Sequence, residues 1–326
     1  MWNHAPTMQE MLRSMKSGIF WLWSLLVINS WAHPVELQAQ GVEAGSPSFP
    51  LLLGKETAYE VSAGDVLYGI SRRFDLSFMS IALANRIEDP HRIYAGQTLI
   101  LPTRMILPEN LENGILINLP EYRLYFIRED HSIRVYPVCI GLPTWKTPLG
   151  EFTATHLLEN PTWYMPKEIA EREHVKREVI PPGPLNPLGD FWVGTDLKGT
   201  GIHSTNVPMS IGRPLSHGCV RLYPEDAGEL FEQVQVGMRG RIIYEPVKIT
   251  VQQDSVFVEI HPDVYELVQD YREELARKLT LSNVTVDPDS ETIRMVLEEK
   301  RGIPVFVGIL VYPTTFETGR SSASGF

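Results

Sequence analysis

Cysteine is nearly absent: the 326 residues include only Cys139 and Cys219. Two thiols cannot staple a chain of this size, which is long enough for two or three hydrophobic cores, so a disulfide framework is excluded as the basis of the fold. Basic excess is missing too. Lys and Arg total 29 against 40 Asp and Glu, a net charge of −11, and no basic run or basic-aromatic stripe occurs. This argues against nucleic acid as a partner. The nine histidines are scattered without Cys/His or His/carboxylate spacing, and there is no phosphate-binding glycine loop or internal repeat. No metal and no cofactor is therefore expected. Long hydrophobic runs are also lacking. The apolar run from Ile19 to Ile28, interrupted by Ser24, is only ten residues long, too short to cross a bilayer. With Arg13 and Lys16 before it and the small residues around Ala32 after it, it reads as a secretory signal over residues 1–32, cleaved after Ala32 or near Ala39. An uncleaved anchor is the alternative.

What is present concentrates in residues 203–221, His-Ser-Thr-Asn-Val-Pro-Met-Ser-Ile-Gly-Arg-Pro-Leu-Ser-His-Gly-Cys-Val-Arg. Cys219 has His217 two residues before it and His203 sixteen before it. A thiol near neutral pH is mostly protonated, so a nucleophilic cysteine needs a base or a cation beside it. The turn-rich stretch from Gly212 to Ser216 returns the chain and brings His203 alongside Cys219. Gly218 is expected to bend the backbone between His217 and Cys219, leaving His217 a backbone and packing role. The N–H groups around Gly218 and Cys219 are the expected oxyanion donors. If a thiolate–imidazolium pair forms, Cys219 should alkylate below the pH of a free thiol, about 8.5. The opposing reading makes His203 and Cys219 ordinary buried residues, or bonds Cys219 to Cys139. In an exported chain a free thiol is a liability without a use, which favours chemistry at Cys219. Cys139, in a Val-Tyr-Pro-Val-Cys-Ile strand, reads as a small buried hydrophobe.

The pattern His203-Ser204-Thr205-Asn206 followed by Ser216-His217-Gly218-Cys219-Val220-Arg221 resembles the signature of the YkuD-type L,D-transpeptidases, which usually reads His-Gly-Thr-Asn and then Ser-x-Gly-Cys-Ile-Arg. The resemblance continues through Pro137-Val-Cys-Ile-Gly141, Thr147-Pro-Leu-Gly150, Asn160-Pro-Thr-Trp163 and Pro184-Leu-Asn-Pro-Leu-Gly189, and so covers roughly residues 111–244. Ser204 replaces a glycine, and Cys139 stands where a small hydroxyl residue is common. The resemblance implies a mainly β fold with a β-sandwich-like catalytic domain, Cys219 as nucleophile and His203 as base. It gives Ser204 the task of orienting the histidine ring through its carbonyl, and Gly218 a place in the catalytic turn. Arg221, His217, Ser216 and Asn206 line the substrate side. Arg221 either holds a substrate carboxylate or braces the loop against an acid, while Ser216 and Asn206 fix nearby backbone.

Taken in order, residues 33–57 mix prolines and glycines with polar residues and read as a linker. From residue 58 to 102, Tyr59 and Val61 alternate as on a strand, Gly64-Asp65 makes a turn and cap, and Leu67, Ile70 and Phe74 recur at helical spacing. Ser77 caps a second helix through Ile81 and Ala84, and a Thr98-Leu-Ile-Leu strand closes the unit. This small α/β unit resembles a LysM module. The resemblance implies binding of N-acetylglucosamine-containing glycans such as peptidoglycan, with the loops after Gly64 and before Gly96 as candidate contacts. Residues 111–245 carry the strand runs of the catalytic domain as an antiparallel sheet, a helix opened by Pro224, and a Pro-rich loop from Asn160 to Gly189 that suits a lid. Residues 246–316 read as a small α+β extension with strands near Lys248, Ser255 and Pro304, a helix from Pro262 and another from Glu291 to Glu298. The Ser/Gly-rich 317–326 tail reads as disordered.

The function implied by the resemblance is peptidoglycan L,D-transpeptidation in the periplasm or cell envelope. A tetrapeptide stem acylates Cys219, D-alanine leaves, and an amine resolves the thioester. The acceptor stays open between a second stem, a lysine of an outer-membrane lipoprotein and a free D-amino acid. Two other classes remain: a carboxypeptidase using water, and an inactive peptidoglycan-binding protein.

Overall fold

The computed structural model describes residues 37–38, 51–172 and 174–310. The expected signal peptide, most of the expected linker and the tail lie outside them.

The N-terminal module follows the expected strand–helix–helix–strand order. Thr57–Glu60 pairs antiparallel with Thr98–Leu101, and helices α1 (Leu67–Arg73) and α2 (Phe78–Ala84) lie between them in sequence. The helical spacing has its cause in the core: Leu67, Ile70, Phe78 and Ile81 bury against Val61, Leu99 and Leu101. Ser77 caps α2 by accepting from the Ser80 N–H at 3.0 Å. Asp65 is not the cap of α1. That position is Val66, and the Asp65 carboxylate instead clasps the turn by accepting from Tyr59 Oη at 2.6 Å and Ser62 N–H at 2.9 Å. The expected linker is also partly strand. Leu52–Leu53 pairs with Met105–Ile106, and Leu37–Gln38 lies along Ser132 and Ile133. The apolar run at residues 51–53 accounts for the first pairing, since Leu53 is buried against Met105 and Tyr125.

The central domain is built on a nine-stranded sheet that includes Leu37–Gln38. Ser132–Pro137, Arg123–Ile127 and Gly114–Asn118 form successive antiparallel hairpin pairs. The sheet is mixed, not purely antiparallel: Arg239–Ile243 runs parallel to Gly114–Asn118, and Val220–Arg221 runs parallel to Gly201–His203. Both parallel strands return through crossovers, the second through residues 204–219, where the stretch expected to be turns is partly strand: Pro214–Ser216 pairs with Ile140–Gly141. The long strand Gly150–Glu159 pairs first with Arg239–Ile243, then, past an irregularity between Ala154 and His156, with Phe191–Thr195. Such a bulge bends a strand and lets one sheet curl over itself. The two halves enclose one core, with Ile117, Leu124, Phe126 and Tyr136 on one side and Val193, Ile202 and Val220 on the other, which is the sandwich-like arrangement. Helix α4 (Pro224–Phe231) opens with Pro224 at its first turn and buries Ala227 and Leu230 against that core. The 160–189 loop has structure of its own. Trp163–Tyr164 pairs with Val179–Ile180, helix α3 (Lys167–Arg172) lies between, and the buried Asn186 amide donates to Pro161 O at 2.7 Å.

The extension is a three-stranded antiparallel sheet, Val247–Gln252, Ser255–Ile260 and Val305–Ile309, packed on helices α5 (Tyr271–Leu281) and α6 (Glu291–Glu299). The helix expected from Pro262 begins only at Tyr271. Asp263 accepts from the N–H groups of Leu267 and Val268 at 3.0 and 2.6 Å and holds a turn there, and Asp270 then caps α5. The short polar side chain outcompetes the helix for these donors.

Candidate active site

Cys219 is not within a strand but one residue before Val220–Arg221, at the end of a tight turn. Gly218 takes φ +105°, a backbone conformation closed to residues with a side chain. Ser216, fully buried, fixes this turn from both sides: its Oγ donates to Cys219 O and accepts from the Gly218 N–H at 3.2 Å. The Gly218 N–H is therefore committed and is not an oxyanion donor in this geometry. The Cys219 N–H has no protein acceptor among the described residues.

The parallel register Ile202↔Val220 and His203↔Arg221 decides which side chains share a face. His203 and Arg221 are neighbours across this pair, and Cys219 directly precedes it, with the Gly201 backbone hydrogen-bonded to its thiol. The Cys219 thiol sits 3.9 Å from Gly199 O and does not hydrogen-bond His203. The His203 ring donates through Nδ1 to Ser204 O at 2.5 Å, which leaves Nε2 as the basic nitrogen. Trp192 stacks on that ring with centroids 5.6 Å apart, in space that Gly201 leaves open, and its Nε1 donates to His156 Nε2 at 3.1 Å. Burial, and secondarily the nearby Arg221 guanidinium, lowers His203 to about 3, against weaker help from the Ser204 and Leu188 carbonyls. Burial pushes the Cys219 thiol up, and a Gly201 backbone hydrogen bond and Arg221 oppose it. Both shifts favour a neutral thiol beside a neutral imidazole.

The remaining expected site residues fall as follows. His217 lies edge-on to Trp145, centroids 4.6 Å apart, and the Arg172 guanidinium of α3 lies 4.9 Å from the Trp145 ring centroid, so the 160–189 loop reaches this pair. Arg221 exchanges backbone hydrogen bonds with Cys139 at 2.9 and 3.0 Å, and its Nε is buried without a partner. Asn206 is exposed; the turn there is held by Thr205, whose Oγ1 accepts from Val207 N at 3.0 Å. Both cysteines are free, and Cys139 is buried with Ile211 and Tyr223, so there is no disulfide between them. Two residues at the site went unnoticed in the sequence. One is Trp192, which looked like ordinary strand. The other is Tyr265 of the extension, whose Oη donates to Gly141 O at 2.8 Å and accepts from Thr147 N at 3.1 Å, pinning the turn that carries Trp145. Nothing in their spacing marks them.

The parallel strand pair thus carries a turn-borne cysteine at the start of one strand and a carbonyl-anchored histidine on the other, and comparison with known proteins shows the family. The YkuD L,D-transpeptidase catalytic domain matches residues 112–249, and the LysM domain matches residues 59–102. Probable L,D-transpeptidase YcfS of Escherichia coli strain K12 is 30% identical over 80% of this chain and 86% of its own length. The chain belongs to the L,D-transpeptidase family. Probable L,D-transpeptidase ErfK/SrfK of Salmonella typhimurium is likewise 30% identical, over 73% of this chain and 81% of its own. A solved Enterococcus faecium L,D-transpeptidase, the C442S mutant, aligns over 41% of this chain and 50% of its own at 22% identity and a TM-score of 0.34, which adds no detail to the site. L,D-transpeptidases are acyltransferases, so this chain is an enzyme of the transferase class, with a LysM domain ahead of its catalytic domain.

Proposed function

We propose that this L,D-transpeptidase works through Cys219 and His203 on peptidoglycan stem peptides, with residues 58–102 as glycan-binding module, 111–245 as catalytic domain and 246–316 as supporting extension. The observation that carries the reading is the parallel pairing of the His203 strand with the strand that directly follows Cys219, with His203 Nδ1 tied to Ser204 O and Nε2 left as base. In the first half-reaction the Cys219 thiol attacks the carbonyl of the L,D bond in a tetrapeptide stem as Nε2 takes its proton. The tetrahedral oxyanion forms at the Cys219 N–H, a donor whose loss costs on the order of 3 kcal/mol at such sites. Collapse breaks the C–N bond, the departing D-alanine amine takes the proton back from His203, and a thioester remains. An acceptor amine then attacks that thioester, gives its proton to Nε2 and releases the thiol. No hydrogen bond joins Cys219 to His203 before substrate enters, and such contacts commonly tighten only in the complex.

The unpartnered Nε of Arg221 favours holding a substrate carboxylate over bracing the loop. The acceptor is an amine of a second stem or a lipoprotein lysine; water in its place makes the enzyme a carboxypeptidase. Action on peptidoglycan goes with export to the periplasm or cell envelope. No helix among the described residues is long and apolar enough to cross a membrane.

Incubation of the purified protein with tetrapeptide muropeptides, read by mass spectrometry, separates cross-linked dimers from tripeptides. Dimers with D-alanine release support transfer, and tripeptides alone support hydrolysis. Cys219→Ala should abolish both products and any covalent carbapenem adduct, whereas Cys139→Ser should retain them. An adduct mapped to Cys139 counts against the assignment.

A further inference from the structure

The LysM module does not hang from a tether. Its α1 face reaches the stretch just after the nucleophile. The Arg72 guanidinium bonds the Asp226 carboxylate at 3.0 and 3.4 Å and lies 3.9 Å from the Tyr223 ring centroid. Asp226 is 4% exposed and stands in the first turn of α4. Tyr68 meets Tyr223 edge-on at 6.1 Å and packs on the Cys139–Ile211–Tyr223 cluster. Cys139 in turn is the backbone partner of Arg221, two residues past Cys219. The start of α2 grips the same segment further back. Arg213 covers Phe78 at 4.9 Å, and Gly212 lies so close to Ser77 that a Cβ there would come within 2.5 Å of the hydroxyl. Arg134 adds a bridge from Asp75 at 3.1 Å to Glu229 of α4 at 2.9 Å. Meanwhile Gly64 and Gly96, in the loops expected to meet glycan, face open space.

We propose that the LysM module is a positioning element of the active site: Tyr68 and Arg72 hold the 219–226 stretch from behind, with Ser77 and Phe78 holding the 212–213 turn. The proposal rests on the reading of Cys219 as nucleophile. It makes the module part of the catalytic machinery's scaffold even for substrates with no glycan chain to bind. Exposed ion pairs are worth little, but Arg72 is the partner of a buried carboxylate, and its loss leaves that charge stranded beside the catalytic strand.

The test uses the full chain with a soluble muropeptide. Misplacement by an ångström or less lowers chemistry more than binding, so Arg72→Ala should cut kcat roughly tenfold while KM stays within about twofold. Alkylation of Cys219 by iodoacetamide should change rate in parallel, and Arg72→Lys should recover much of the loss. Sedimentation with insoluble peptidoglycan should be unaffected. A folded Arg72→Ala protein with wild-type kcat overturns the proposal. Should Arg72→Ala not fold, Tyr68→Leu keeps apolar contact but loses the edge-on ring, and a wild-type kcat there overturns it equally. Cys219→Ala in the same assay keeps the two readings apart: turnover that survives it sinks the nucleophile assignment, whatever Arg72 does.

Discussion

His203 carries the least expected electrostatics in the molecule. Its ring is buried, stacked on Trp192 and near the Arg221 guanidinium, and its value falls from the ordinary 6.5 to about 3. The unfolded chain therefore binds a proton between those limits that the native protein does not. The stability this histidine allows is complete above pH 6.5 and is lost as pH falls toward about 3. Urea unfolding across that interval should accordingly be less pH-dependent in His203→Ala than in the wild type. The same shift changes the chemistry. A preformed thiolate–imidazolium pair would keep Cys219 reactive at low pH, but with the thiol pushed up by burial and the imidazole held neutral, alkylation should instead follow a thiol raised above the ordinary range. His203 then acts as a base during attack, and the acid limb of kcat/KM should lie well below pH 6.5. A limb at 6.5 with a low-pH alkylation plateau would restore the ion pair.

At the scale of the element, the site is two turns and a strand pair. The 216–219 turn was legible because its chemistry is local: a hydroxyl, a glycine and a thiol in four consecutive positions. The 141–147 turn was not, because what holds it comes from Tyr265, 118 positions beyond Thr147. A tyrosine outside any period announces no partner. The cap at Asp270 was hidden by a local competition instead, since the apolar positions after Pro262 fit a helix until Asp263 takes the N–H groups four and five residues on. Tyr265→Phe keeps the packing on Tyr244 but leaves Gly141 O and Thr147 N–H without their buried partner. The expected cost is about 1–3 kcal/mol in chemical unfolding. Turnover should fall along with it, since Trp145 rides on that turn and packs on His217. A variant as stable and active as wild type would show that water replaces the hydroxyl without loss.

Across the whole molecule, the three modules are locked by charge as well as by packing. Glu121 and Arg123 come from the catalytic domain, and Lys248, Glu259 and His261 from the extension. Lys248 Nζ lies 3.0 and 3.1 Å from the Glu121 and Glu259 carboxylates, and Ile106 N–H donates to Glu259 at 2.6 Å from the strand that follows the LysM module. These residues span more than a hundred positions with no spacing in common, so no sequence pattern shows the cluster, although every residue in it was on the page. Glu121, Glu259 and His261 also bring ligand atoms within 4.8 Å of one another, as a metal site would. The ammonium of Lys248 and the guanidinium of Arg123 already stand between those carboxylates, so the negative charge is met without an ion. EDTA should therefore leave the melting temperature unchanged. Burial alone would raise Glu259, but Lys248, His261 and Arg123 outweigh it and hold the carboxyl well below its ordinary 4.5. Its contribution to stability is thus present above pH 4.5 and is lost as pH falls below that value. Lys248→Met fills the same volume and leaves two buried carboxylates with one cation fewer, Arg123 remaining between them, which should cost up to about 3–5 kcal/mol. The loss should be greatest near neutral pH and shrink in acid, where the carboxyls take up protons. A loss that stays constant from pH 7 to pH 4 would mean that Lys248 acts through its packing and not through its charge.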